Sequence, residues 1–150
     1  MISENMSHGG VQGVYKHVAK TTQCEMTFAV FMPPSKKTPS PVLWYLSGLT
    51  CNHSNVMEKG GYRRLAAELG IAIVCPDTSP RGESVPDEKD NWQFGLGAGV
   101  YLDATELPFS VNYNMSLYKS DEITDLIHYK FDFDMKRQGI FGHSMGRQST

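Results

Sequence analysis

Gln138-Gly139-Ile140-Phe141-Gly142-His143-Ser144-Met145-Gly146 decides how this chain is read. Gln138 to Phe141 reads as a short buried strand, and it runs directly into Gly142-His143-Ser144-Met145-Gly146, a G-x-S-x-G pattern. The serine of such a pattern sits on a tight, strained turn, so only small residues fit two positions to either side. Gly142 and Gly146 supply them. On that turn the Ser144 hydroxyl projects above the sheet, ready to attack a carbonyl, and the Met145 backbone N–H points at the oxyanion that develops. The five residues alone are equally compatible with a plain turn. The strand before them, and a glycine loop after an earlier buried strand, favour a nucleophile.

That earlier strand is Pro41-Val42-Leu43-Trp44-Tyr45-Leu46, continuously apolar as a strand covered on both faces is. The loop after it, Ser47-Gly48-Leu49-Thr50-Cys51, lies where a second oxyanion donor comes from, and the Leu49 backbone N–H is the candidate. From Val56 to Leu69 the spacing is helical, with Tyr62, Leu65, Ala66 and Leu69 as the apolar stripe and Gly70 as the stop. Ile71-Ala72-Ile73-Val74 is a second short buried strand. A polar excursion from Pro76 to about Asn112 exceeds a mere connection and is expected to shape a site. Met115 to Lys130 reads as a helix with Ile123, Leu126 and Ile127 as its core stripe. Toward the N-terminus, Cys24 to Met32 alternates with Cys24, Met26, Phe28, Val30 and Met32 on one face, and Pro33-Pro34 ends it. A weaker strand over Gly13 to Lys20 makes a hairpin with it at one sheet edge. Strands alternating with helices predict an α/β chain: a mostly parallel sheet with right-handed crossovers and an N-terminal antiparallel hairpin.

Composition narrows the partners. The chain has 150 residues, enough for one domain, and 14 basic against 16 acidic side chains give a net charge of −2. No electrostatic attraction to nucleic acid or to an anionic membrane is expected, and the expected partner is a small-molecule substrate. Met1 to Asn5 lacks the basic and apolar runs of a signal peptide, and no apolar run approaches the ~20 residues of a membrane span. Cys24, Cys51 and Cys75 are too scattered for a disulfide framework or a zinc site and suit a reducing, cytoplasmic compartment.

Several stretches together resemble the S-formylglutathione hydrolase (esterase D) family of the α/β-hydrolase fold. They are Leu46 to Cys51, Ala66 to Gly70, Pro76-Asp77-Thr78-Ser79-Pro80-Arg81-Gly82, Gly97 to Thr105, and Gln138 to Gly146, in the family's order over most of the chain. The resemblance implies hydrolysis of S-formylglutathione to glutathione and formate, in the cytoplasm, with no cofactor and commonly as a homodimer. It also implies that the sequence is a partial domain, residues 1–150, truncated just after the nucleophile elbow. Where the family continues with a further glycine and a small-residue helix start, this chain reads Arg147-Gln148-Ser149-Thr150. The triad runs Ser, Asp, His along such a chain, so both partners of Ser144 are expected beyond residue 150. On that expectation the chain is inactive or nearly so, a non-catalytic fragment or truncated isoform, with an unpaired apolar strand edge prone to aggregation. An esterase of other acyl specificity on the same fold is the remaining alternative.

Several other groups admit both a functional and a plainer role. Of the five histidines, His53 alone lies near the Leu49 loop and could replace the missing base. Cys51 is a buried small apolar residue or a reactive thiol near the site. Gly95-Leu96-Gly97-Ala98-Gly99 follows no buried strand, so it reads as a loop beside the substrate pocket rather than a nucleotide loop. His128, Asp132 and Asp134 fit no closed metal geometry. Trp92 and Tyr101 either line an acyl or glutathione pocket or pack in the core.

Overall fold

The computed structural model describes residues 1–34, 38–88, 91 and 93–149. Six strands form one sheet in the order β1-β2-β3-β5-β4-β6. They are β1 (Ser3–Ser7), β2 (Gly10–Ala19), β3 (Cys24–Met32), β4 (Ser40–Leu46), β5 (Ala72–Pro76) and β6 (Phe133–Gly142). The first three make an antiparallel meander, β5 pairs antiparallel with β3, and β4 pairs parallel with both β5 and β6. The sheet is therefore mixed, with more antiparallel pairing than the sequence suggested. The extra strand is Ser-Glu-Asn-Met-Ser, whose polar side chains give no apolar alternation; it is recruited by pairing with β2.

Helices cover both faces of the sheet. On one face, α1 (Ser54–Lys59) and α2 (Arg63–Leu69) pack Ala66 and Ala67 against Ala29, Phe31, Ile73 and Cys75. On the other, α3 (Met115–Leu117), a π-helical turn (Tyr118–Glu122) and α4 (Ile123–Lys130) bury Met115, Tyr118, Ile123 and Ile127 against Phe28, Val30, Val42 and Trp44. This is why β3 alternates only at its start: Cys24, Met26, Phe28 and Val30 face one helix layer, while Ala29 and Phe31 face the other.

Two details of the helices differ from expectation. The periodic run from Val56 to Leu69 is broken by Gly60 and Gly61, the latter at φ 62°, so it forms two short helices. Gly70 ends α2 in the left-handed region at φ 72°. Leu65 and Leu69 do not join the core; they are 54% and 59% exposed. The small Ala66 and Ala67 make the close contact with the sheet. Leu65 and Leu69 instead rim a cleft of about 390 Å³ with Leu43, Tyr45 and Phe141.

β6 also departs from the buried strand expected. It lies at the sheet edge beside β4, and Ile140 and Phe141 are 41% and 43% exposed. Trp44 Nε1 donates to Gln138 Oε1 at 2.7 Å, and the register sets Leu46 opposite Gly142. Strands β4 and β6 thus end level, and the loops leaving them emerge side by side.

Candidate active site

The turn after β6 has the geometry its glycines demand. Ser144 has φ 53°, a left-handed conformation that costs an L side chain about 1–2 kcal/mol. A Cβ on Gly142 would lie 2.5 Å from the Gly146 carbonyl carbon, and one on Gly146 would overlap the Leu46 carbonyl oxygen. His143 N–H donates to Leu46 O at 3.0 Å, and Gly146 N–H donates to His143 O at 3.0 Å. Ser144 is exposed at the apex, and Met145 is turned into the core. No hydrogen bond to the Ser144 hydroxyl occurs among the described residues.

The 47–51 loop lies directly against this turn: a Cβ on Gly48 would stand 3.2 Å from Ser144 Cβ and 3.3 Å from His143 O. Thr50 takes φ 64°, and Cys51 N–H closes a turn onto Gly48 O at 3.2 Å. Thr50 N–H donates to Gly97 O at 2.9 Å. Among the described residues the Leu49 N–H has no acceptor, so it is unspent beside Ser144. The Gly97 run packs on this loop, and its Ala98 and Gly99 also line an apolar cavity.

Both ends of the loop are tied to side chains from the excursion. Tyr101, buried and at φ 52°, donates its hydroxyl to Ser47 O at 3.1 Å. That decides between its two readings: it is a core residue. Trp92 lies outside the described residues. At the other end, Cys51 O accepts Thr78 Oγ1 at 2.5 Å and Arg81 Nη2 at 2.9 Å. Arg81 in turn grips Asp77, its Nε reaching Oδ1 and Oδ2 at 3.1 and 3.0 Å and its Nη2 reaching Oδ1 at 3.0 Å. Thr78 N–H adds a bond of 2.7 Å to Asp77 Oδ1.

Burial acts to raise the Asp77 carboxyl, but the neighbouring His53 ring, the Arg81 bonds and charge, and the Thr78 N–H outweigh it. They hold the group below its ordinary carboxylate value. His53 Nδ1 stands 4.0 Å from Asp77 Oδ2, too far for a hydrogen bond, and is buried without a partner among the described residues. His53 therefore lies beside Asp77, and no described hydrogen bond joins it to Ser144. Of the other histidines, His17 contacts Tyr118 Oη at 3.0 Å, while His8, His128 and His143 are exposed.

Asp77, Thr78 and Arg81 were not assigned to a site from sequence, although they lie in one of the stretches that carry the resemblance. One signal was present: a carboxylate directly after a buried apolar strand, with an arginine four residues on. The excursion also walls an apolar cavity of about 360 Å³, where Phe94 and Phe109 meet edge to face with ring centroids 4.5 Å apart and Phe94 stacks on Tyr113. Asp134, weighed as a metal ligand, instead accepts from Arg137 Nε at 2.6 Å. Cys51 is partly exposed and free, and burial pushes the Cys75 thiol up to about 12.

The esterase family model matches residues 19–149. S-formylglutathione hydrolase from Paracoccus denitrificans is 50% identical over 146 residues, 97% of this chain and 52% of that protein. The Mus musculus S-formylglutathione hydrolase is 46% identical with the same coverage. A solved structure of an S-formylglutathione hydrolase from Agrobacterium tumefaciens is 61% identical with a TM-score of 0.94, covering 97% of this chain and 53% of that one. A fluorophosphonate-binding serine hydrolase of Staphylococcus aureus, FphF, has a TM-score of 0.66 at 20% identity over 91% of this chain and 48% of its own, a likeness of fold alone. The chain spans about half the length of the curated relatives it matches.

Proposed function

The chain belongs to the esterase family, and from that premise we propose that it carries the nucleophile and oxyanion half of a serine thioesterase acting on S-formylglutathione. Ser144 Oγ attacks the thioester carbonyl carbon, and the carbonyl oxygen becomes an oxyanion held by the Leu49 and Met145 N–H groups. Collapse of that intermediate breaks the C–S bond, leaving a formyl ester on Ser144 and glutathione thiolate, which takes up the proton that the Ser144 hydroxyl gave to the downstream base the resemblance implies. Water then attacks the ester, releasing formate and restoring Ser144. The observation that carries this reading is the approach of the Gly48 loop to Ser144, with Ser144 at φ 53° and the Leu49 N–H unspent.

A serine hydroxyl is a weak nucleophile without a base. No base bonds to Ser144 among the described residues, and the resemblance implies a His and an Asp downstream of it. The same observation favours a second reading, in which these 150 residues alone are non-catalytic. The same resemblance carries the homodimer and the cytoplasmic location, the latter supported by three free cysteines. One continuous sheet from Ser3 to Gly142 supports treating residues 1–150 as one domain, and the resemblance implies that it is partial.

Hydrolysis of S-formylglutathione tests this, each protein against its Ser144→Ala variant. The chain alone is expected to show no turnover above the variant. The chain extended by the second half of the Paracoccus denitrificans relative is expected to turn over and to lose that turnover in Ser144→Ala. Extended protein that folds yet is equally active with alanine at 144 would remove Ser144 from the chemistry. Preference for longer acyl esters over the formyl thioester would shift the substrate class but keep the site.

A further inference from the structure

We propose that two segments of the excursion, Asp77 to Arg81 and Gly97 to Tyr101, form a cradle that sets the Leu49 N–H, with Tyr101, Thr78 and Arg81 as positioning residues. This rests on the thioesterase reading of the same site. The 47–51 loop belongs to no helix or strand, so its shape has to be imposed from outside. Three elements of the excursion impose it. The Tyr101 hydroxyl fixes the first peptide through Ser47 O, Gly97 O receives the middle amide of Thr50, and Thr78 and Arg81 converge on the last carbonyl, Cys51 O.

A carbonyl with two lone pairs is saturated by two donors, and Cys51 O has two, Thr78 Oγ1 and Arg81 Nη2. Thr78 is fully buried, and Arg81 is held by Asp77. The peptide plane at Cys51 therefore has little freedom to rotate. Cys51 N–H in turn closes on Gly48 O, so that fixing Cys51 also fixes the turn with Leu49 inside it. The backbone of the cradle is itself held in unusual conformations: Val100 at φ 51° and Tyr101 at φ 52° are both left-handed, one of them β-branched. Such conformations persist only where the surroundings over-determine them. Here the buried Tyr101 ring and its bond to Ser47 do so. None of these side chains touches the reacting atoms; they act through the donor they place.

Thr78→Val and Tyr101→Phe delete one hydroxyl each while keeping shape, and Thr78→Ser restores the donor. Amide hydrogen exchange in the 150-residue chain reads the loop directly, through the hydrogen-bonded Thr50 and Cys51 amides, with the β3 amides as the folding control. Exchange at Thr50 and Cys51 is expected to quicken about tenfold or more in Thr78→Val and Tyr101→Phe. Thr78→Ser should match the unsubstituted chain, and the β3 amides should be unmoved. In the extended enzyme, kcat for S-formylglutathione is expected to fall roughly ten- to a hundredfold in the same two variants. KM should stay within about twofold, because the loss is confined to the transition state.

Unchanged exchange at Thr50 and Cys51 overturns the cradle, and faster exchange with undiminished kcat overturns its catalytic purpose. If the unsubstituted extended enzyme shows no turnover, the thioesterase reading fails by itself. The exchange result then still decides whether the cradle holds the loop.

Discussion

Replacing Asp77 by asparagine should destabilise the chain by an amount that depends on pH. The carboxylate side chain is 5% exposed and the Arg81 side chain 37%. Asparagine keeps one oxygen for the Thr78 N–H but turns the other into an NH2 that confronts the Arg81 donors. A hydrogen bond to a charged group is worth about 1.5–3 kcal/mol net, and breaking a fully buried ion pair costs about 3–5 kcal/mol. Arg81 is more than a third exposed and can turn to water, so the expected loss is roughly 2–3 kcal/mol at neutral pH. At about 3 °C per kcal/mol for a chain of this size, Tm should fall by roughly 6–9 °C.

The folded value of Asp77 is depressed, so its charge stabilises the fold above its unfolded pKa of about 3.9. That contribution drains away as pH falls through the lower folded value. Thermal unfolding followed by circular dichroism at about pH 7, 5 and 3 should therefore show a full gap between the two proteins, then the same gap, then a narrowed one. The comparison cancels the other carboxylates. A gap below about 0.5 kcal/mol at pH 7, or one just as wide at pH 3, would refute the assignment of Asp77 as a charged strut.

Other substitutions probe the Ser144 turn, the open cleft and the thiols. With Ser144 in the left-handed region, Ser144→Gly should be more stable than Ser144→Ala by about 1 kcal/mol in urea unfolding, and equal stabilities would deny strain at the turn. Gly146→Ala, whose methyl meets the Leu46 carbonyl, should cost about 3 kcal/mol or more or prevent soluble expression; a fold intact by circular dichroism would contradict the packing. Leu65→Lys and Leu69→Lys should leave Tm within about 2 °C while lowering binding of an apolar dye, since both side chains rim an open cleft. In the native chain a thiol reagent should label Cys51 before Cys24 and Cys75, which are buried, and equal rates would show that the interior opens readily.

What was legible in the sequence was whatever depends on neighbours in the chain. The two glycines flanking Ser144 announce their turn because backbone crowding two residues away forces them. Pro41 to Leu46 announces a covered strand because every residue in it is apolar. The Leu49 loop could be located because it follows that strand. Asp77, Thr78 and Arg81 could not be assigned the same way: their partner is the Cys51 carbonyl, 27 residues from Thr78 and 30 from Arg81. A backbone acceptor leaves no mark in the sequence of the side chain that seeks it. The Gly60-Gly61 break was visible but overruled by spacing that continues across it. The exposure of Leu65 and Leu69 was not, because periodicity shows which residues share a face and not how far that face is covered.

The strand order has a consequence for synthesis. β5 lies between β3 and β4, although β4 is made first. As the chain leaves the ribosome, β3 and β4 cannot become partners, and the free edge of β3 must stay unclaimed until Ala72 to Pro76 arrives to bridge them. Glu122 imposes a similar wait on the hairpin of β2 and β3: its carboxylate accepts the Lys20 and Thr21 amides across a separation of about a hundred residues. The β2–β3 turn is thus locked by a segment made about a hundred residues later, and the nascent chain carries that turn unfinished until Glu122 emerges.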